Sequence, residues 1–434
     1  MATTSPNVFV PQAEAASWRD RIKITRTSIY ALLFIIVGVG LLLSVPNSIA
    51  GDVVTRLTFS EDLPELLVPT MGYAVVIAFL YIASGVVALL PGAGIRRLKT
   101  IGLYASGILL VPTVLILAAA GSSTNVTVML QVSFRLATPV VLGAMAGIWC
   151  ERSGVTNIAI EGMMLTGACF GFVTLTLLAP SMGTPQAQLI GVIVSVLSGG
   201  LMSVLHAWLS ITFKINQIVS GTVINIMAVG LTSFARREVL LSSEAGRETL
   251  QPFAIPELSK IPVIGEVFFV GRPIFYGMFI ILILTHIVLF YTRWGLRTRA
   301  VGENPRAADT LGIKVNRNRW INVVIGGLIA GLAGAWFSLE TNGSFDDNMT
   351  SGRGFIALAA MIFGKWTPIG AFGGGLLFGF SDALGQRFQF LGVSIPPQFL
   401  QMVPYVITII VLAGLVGRAV APKADGIPYE KEGK

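Results

Sequence analysis

Cysteine and histidine are nearly absent from this sequence, with two of each in 434 residues. Cys150 and Cys169 have neither a metal-ligand spacing nor the numbers of a disulfide framework, so both read as small buried hydrophobes. His206 and His286 stand alone in sequence and are expected in the core or at an interface. Charge is scarce as well: Asp, Glu, Lys and Arg make up 12% of the chain, about half of what ordinary soluble domains carry. No G-x-x-x-x-G-K-[ST] loop occurs, because "FGKW" at 363–366 lacks both the earlier glycine and the Ser/Thr. The phosphate cradle of an ATPase is therefore missing. No H-E-x-x-H, G-x-S-x-G or Cys/His cluster offers a metal or a nucleophile with its base, and no repeated filter sequence marks a channel.

What is present is apolar. The chain is 54% hydrophobic with 48 glycines, and its mean hydropathy is +0.78. Apolar runs recur from end to end, which predicts an all-α, polytopic transmembrane helical bundle of about ten to twelve segments. They fall near 27–49, 67–90, 101–120, 132–150, 155–179, 187–213, 218–235, 273–291, 318–340, 354–364, 368–385 and 397–417. Several are short or broken by Gly and Pro, notably 354–364, and such segments suit half-helices or inverted repeats. Residues 1–26 are polar, and the run at 27–49 exceeds a signal-peptide core, so it is expected to stay as a first membrane helix. Small residues repeat at four-residue spacing in Gly191/Ser195/Gly199, Gly327/Gly331 and Gly375/Gly379, the pattern of close helix contact.

Charge sets the expected orientation. With the N-terminus inside, alternate loops collect Arg96, Arg97, Lys99, Arg152, Lys214 and the basic residues from Arg293 to Arg319. Acidic residues such as Glu61, Asp62, Glu65, Glu257, Asp346 and Asp347 lean to the other side. Both termini are then cytoplasmic in a multi-pass membrane protein. The net charge of +8 is a topology signal, not a sign of nucleic-acid binding. The largest outer loop, 236–272, reads equally as a docking surface or as a solvated cap.

Polar groups inside the apolar runs are the candidate path residues. Asn157 and Glu161 are four apart, which on a helix puts them on one face. They read as a pathway pair or as an internal pair, with Arg135 as a counter-ion for Glu161. Ser220, Thr222 and Asn225 form a second group, and Asp382 with Gln386 a third. For both, hydrogen bonding between helices is the leading role. A nucleoside- or sugar-sized solute would use the same neutral groups, with Phe388 or Phe390 stacking on a ring.

One polar interruption stands out at 301–315, "VGENPRAADTLGIKV". Asn304 can cap a helix, Pro305 fits its first position, and Gly312 suits its stop. A surface helix of about seven residues follows, placed as a lever in the most basic loop.

"GLRTRAVGENPRAADTLGIKVNRNR" resembles the coupling-helix loop of ABC importer permeases in the branched-chain amino acid, simple-sugar and nucleoside group. "RLATPVVLGAMAGIWCERSGVTNIAIEGMMLTGA" and "QIVSGTVINIMAVGLTSF" resemble the nucleoside (basic membrane lipoprotein-associated) branch. This resemblance covers roughly 131–420. It implies a non-catalytic permease subunit that pairs with a second homologous permease, with two cytoplasmic ATPase subunits or one fused tandem ATPase, and with an external solute-binding lipoprotein. ATP and Mg would sit on the ATPases, with no cofactor on this chain. By position, Glu303, Asn304, Pro305, Arg306, Ala307, Ala308 and Gly312 would contact the ATPase. Residues 27–130 would be extra N-terminal segments, 131–420 the permease core and 421–434 a cytoplasmic tail. Asn216 departs from the acidic residue expected before "QIVSGT". The expected solute is a nucleoside or a related polar molecule. Branched-chain amino acids or a simple sugar are the alternatives within the family, and a proton-coupled carrier using Glu161 or Asp382, or a scaffold without a path, lies outside it.

Overall fold

The computed structural model describes residues 26–60, 63–90, 94–241, 247–390, 402 and 419–431. The polar segment before Arg26, and all of the segment expected at 397–417 except Met402, lie outside the described residues. Among the described residues, nine helices are long and apolar enough to cross a membrane. The all-α bundle expected from hydropathy is therefore what forms.

The chain divides into two compact units, 1–53 with 69–117, and 54–68 with 118–434. The first holds α1 (Arg26–Ser48), α2 (Thr70–Leu89) and α3 (Arg96–Ala118), the last ending at the unit's boundary. Phe34, Ile77 and Tyr81 form its small core. Polar groups tie α2 to α3: Tyr81 and Thr113 share a hydrogen bond of 3.0 Å, and Ser84 and Ser106 one of 2.7 Å. Hydroxyl pairs of this kind join helices where lipid supplies no competing water.

The second unit contains the rest. α4 (Val126–Glu151), α5 (Ile160–Met182), α6 (Thr184–Ala207) and α7 (Gln217–Ala235) come first. α8 (Ile264–Phe268), α9 (Pro273–Tyr291), α10 (Arg293–Glu303) and α11 (Pro305–Thr310) follow. α12 (Val315–Ala335), α13 (Arg353–Phe363) and α14 (Pro368–Phe390) complete it. Helices α6, α7 and α12 each end in a π turn, at Trp208–Thr212, Arg236–Leu240 and Trp336–Asn342. From Ala137 to Glu151 every residue of α4 is buried, so its apolar run is apolar on all sides for a physical reason. α4 is the bundle's axis.

Glycine brings the central helices into backbone contact. A Cβ on Gly199 of α6 would lie 2.5 Å from the Cα of Gly331 on α12. One on Gly375 of α14 would lie 2.5 Å from the Val141 side chain of α4. The four-residue spacing of small residues is a true packing seam.

The described part of the 236–272 loop carries secondary structure of its own. Two short strands, Phe253–Ala254 and Val270–Gly271, pair antiparallel around α8. Gln131 of α4 donates to the Glu266 carbonyl at 3.2 Å, fastening α8 to the bundle.

Candidate functional site

The segment between α4 and α5 leaves the end of α4 and climbs back into the bundle. Ile160, the first residue of α5, packs against Gly147 and Gly143, one and two turns before Glu151, so α5 starts about 6 to 12 Å above the end of α4. The 343–352 connection after α12 makes the opposite excursion. It delivers α13, an eleven-residue helix about 16 Å long, which is half a membrane crossing. The short segment expected at 354–364 is thus a half-helix.

Two helix starts meet at Glu161. Its Oε1 accepts from the Thr350 hydroxyl at 2.6 Å and the Gly352 N–H at 2.8 Å, and its Oε2 accepts from the Gly354 N–H at 2.6 Å. Glu161 is 6% exposed, and its negative charge sits against the positive end of α13, where unpaired N–H groups favour an anion. A lone carboxylate at that depth would be costly, and this cradle is what makes it tolerable. Arg135 is not its counter-ion: the charged groups acting on Arg135 are Arg272 and Glu340.

Asn157 does not share a helix face with Glu161, because α5 begins only at Ile160. Asn157 is fully buried in the connector, where its Oδ1 accepts from the Ala159 N–H at 3.0 Å and turns the chain into α5. Asn225 of α7 completes the arrangement from the other side. It donates to the Ile158 carbonyl at 2.9 Å and accepts from the Gly162 N–H at 2.8 Å. Asp382 of α14 pairs with Arg353 at 2.8 Å, one residue from the Gly352 and Gly354 donors.

Asn157, Glu161, Asn225 and Asp382 therefore tie a knot of separate hydrogen bonds around the starts of α5 and α13. Thr222, Gln386 and Phe388 are not part of it. The Thr222 side chain is exposed and bonds back to the Ile218 carbonyl at 2.9 Å. Gln386 is exposed, Phe388 is buried and Phe390 is 84% exposed. Ser220 meets the core histidine His206 at 3.1 Å, and the other ring nitrogen faces the Thr156 carbonyl. His286 lies against Phe290, with ring centroids 5.5 Å apart.

The polar interruption forms two consecutive short helices. α10 ends at Glu303, and α11 follows after one residue as a six-residue helix rather than seven. The Asn304 side chain accepts from the Ala307 N–H at 3.1 Å, Pro305 holds the first position, and Gly312 has φ +80° at the stop. Glu303, Asn304, Arg306, Ala307 and Gly312 are exposed, and Pro305 is half-buried. Ala308 points inward against Val301, Val315 and Tyr429, so its side chain faces this chain.

Several buried charges escaped the sequence reading. Glu151 accepts from the Trp366 indole at 2.6 Å. Glu340 accepts from the Ile274 N–H at 2.6 Å and so caps α9. Arg319 is 1% exposed and donates to the carbonyls of Ser153 at 3.1 Å and Ile427 at 2.9 Å. Each stood at the edge of an apolar run, where a charge also suits a membrane boundary, so position alone did not set them apart. Arg152, at the base of α4, donates to the Trp366 carbonyl at 2.9 Å, and burial pulls its guanidinium below the usual range.

The profile of the family described as "Branched-chain amino acid transport system / permease component" matches residues 129–412. The chain is 43% identical over 299 residues to the nucleoside ABC transporter permease protein NupC of Lactococcus lactis, covering 68% of this chain and 94% of that one. It is 40% identical over 302 residues to the guanosine ABC transporter permease protein NupQ of Bacillus subtilis, with the same two coverages of 68% and 94%. A putative glucose ABC transporter permease of Haloferax volcanii is 33% identical over 309 residues, 67% of this chain and 92% of that one. No solved structure matches the chain. A helical membrane bundle with a capped polar helix and no phosphate loop, matched over most of its length by permeases, belongs to the branched-chain amino acid transport permease family of ABC transporters.

Proposed function

We propose that this chain is the transmembrane permease of an ATP-driven importer for nucleosides. The observation that carries this reading is the similarity to two nucleoside-type permeases at 43% and 40% identity across 94% of each. The glucose-type relative, at 33%, ranks the simple-sugar alternative lower. ATP and Mg belong to separate ATPase subunits, and α11, with Arg306 and Ala307 exposed on a capped helix, is the surface they engage. A second permease and an external binding lipoprotein complete the assembly, with residues 131–420 as its permease core and both termini in the cytoplasm.

In this reading the knot around Glu161 holds the starts of α5 and α13 and sets the geometry of the path. Binding of ATP shifts the permease between two states to the extent that α11 makes different contacts in each. The test is uptake of radiolabelled guanosine into proteoliposomes that carry the whole transporter and enclose ATP. Uptake that requires ATP, and that excess leucine or glucose does not compete away, is the expected result. Uptake driven by an ion gradient alone would sink the proposal.

A further inference from the structure

The 419–431 segment does not hang free. It runs along the base of the second unit and touches five parts of it. The Ala424 N–H donates to the Gly302 carbonyl of α10 at 2.8 Å. Asp425 accepts from the Thr156 hydroxyl in the α4–α5 connector at 3.0 Å. The Ile427 carbonyl accepts from Arg319 of α12 at 2.9 Å. Tyr429, 9% exposed, packs on Ala308 of α11 with Val301 and Val315. Glu430 pairs with Lys214, just ahead of α7, at 2.7 Å.

The chain makes room for it. Gly154 adopts φ +83°, and a Cβ there would lie 2.7 Å from the Arg319 guanidinium and 3.0 Å from the Ala424 carbonyl. Gly426 adopts φ +76°, which turns the segment around Thr156. Two left-handed glycines, one on each side of the contact, are backbone conformations that other residues rarely take. The segment is fitted, not merely adjacent.

We propose that residues 424–429 are a transmission strap that makes α11 and the α4–α5 connector move together. α11 reaches the rest of its chain through Ala308, and Tyr429 is part of the socket that receives it. Four residues earlier Asp425 holds Thr156, in the connector that positions Asn157 and delivers Glu161 to α13. Arg152 in the same connector holds the turn between α13 and α14 through the Trp366 carbonyl. A displacement of α11 is thereby carried to both helices that start within the bundle. Asp425 and Tyr429 are positioning residues: neither needs to touch solute or nucleotide. The proposal rests on the importer reading for its biological meaning, but its mechanical content stands without it.

Two measurements on the full transporter test it. The first is guanosine uptake per ATP hydrolysed in proteoliposomes, for Asp425→Ala and Tyr429→Ala, with Tyr429→Phe retaining the ring. The strap predicts that uptake falls by about tenfold in each Ala variant while hydrolysis stays within about twofold, and that Tyr429→Phe keeps its coupling. Parallel loss of uptake and hydrolysis, or no loss of either, overturns it. The second is hydrogen exchange, which needs no transport. Tyr429→Ala should raise exchange in 153–158, although the nearest link to that stretch is made by Asp425. Unchanged exchange there overturns the strap even if the wild type proves not to carry guanosine. Faster exchange there with no guanosine uptake in the wild type would support the strap and count against the nucleoside reading alone.

Discussion

Glu161 is a buried carboxylate held by hydrogen bonds to both of its oxygens. Three donors converge on its two oxygens, and all of them come from the entry to α13. Replacing it with alanine leaves the buried Gly354 N–H and the partly buried Gly352 N–H unpaired, at a cost of about 2 kcal/mol. Glu161→Ala should lower the thermal unfolding midpoint in detergent, and Glu161→Gln should lower it less, since the amide oxygen still accepts. Asp425 makes a prediction of a different kind. Burial raises its carboxyl above the ordinary aspartate range, offset in part by the Thr156 and Gly426 donors and by Arg319. The charged and titratable groups facing it are Glu151, Arg319 and Cys150. A proton held more tightly in the docked state than in the free one means docking is strongest at acid pH and weakens as pH climbs through the raised range. Exchange protection of 424–427, corrected for the intrinsic rate, should therefore be higher near pH 5 than near pH 8. Asp425→Asn should shrink the difference to what Glu151, its hydrogen-bonded partner, contributes.

Helix α11 shows how far local signals reach. Asn304, Pro305 and Gly312 act within a few residues of chain, so their capping roles were readable from order alone. Asn304→Ala should cost about 1 kcal/mol of local stability, read as faster exchange at Ala307. Arg306→Glu, which reverses an exposed charge on the same helix, should uncouple hydrolysis from uptake while the permease still inserts. Normal transport by that variant would remove the coupling role. The starts of α5 and α13 were harder to read. Four-residue spacing placed Asn157 and Glu161 on one helix face, but spacing carries that meaning only inside a helix. The connector turns and stays outside a helix until Ile160, with Asn157 bonded to the Ala159 N–H just ahead of the helix start. The partners of Glu161 lie 189 to 193 residues away in the chain, a distance over which periodicity says nothing. Arg135 looked suitable because it was basic and near in sequence.

At the scale of the molecule, hydropathy conveyed the bundle, since length and composition decide what can cross a membrane. The 419–431 segment was illegible for the converse reason: it is polar, irregular and held by single bonds to many elements. The orientation expected from the basic loops has a direct check. In a variant free of its two cysteines, Arg306→Cys should react with an impermeant thiol reagent only from the cytoplasmic side, and Ser259→Cys only from outside. Labelling of both from one side would contradict the topology, because α9 lies between them.

The glycine seam between α6 and α12 has a mechanical corollary. Where the Gly199 and Gly331 backbones touch, no side chain is left to change rotamer and absorb a slide. Any shear between these helices would drive main chain into main chain, so α6 and α12 must travel as one rigid block. Gating has to be borne by surfaces with softer packing, and Gly331→Val should jam the protein's fold well before it alters its rate.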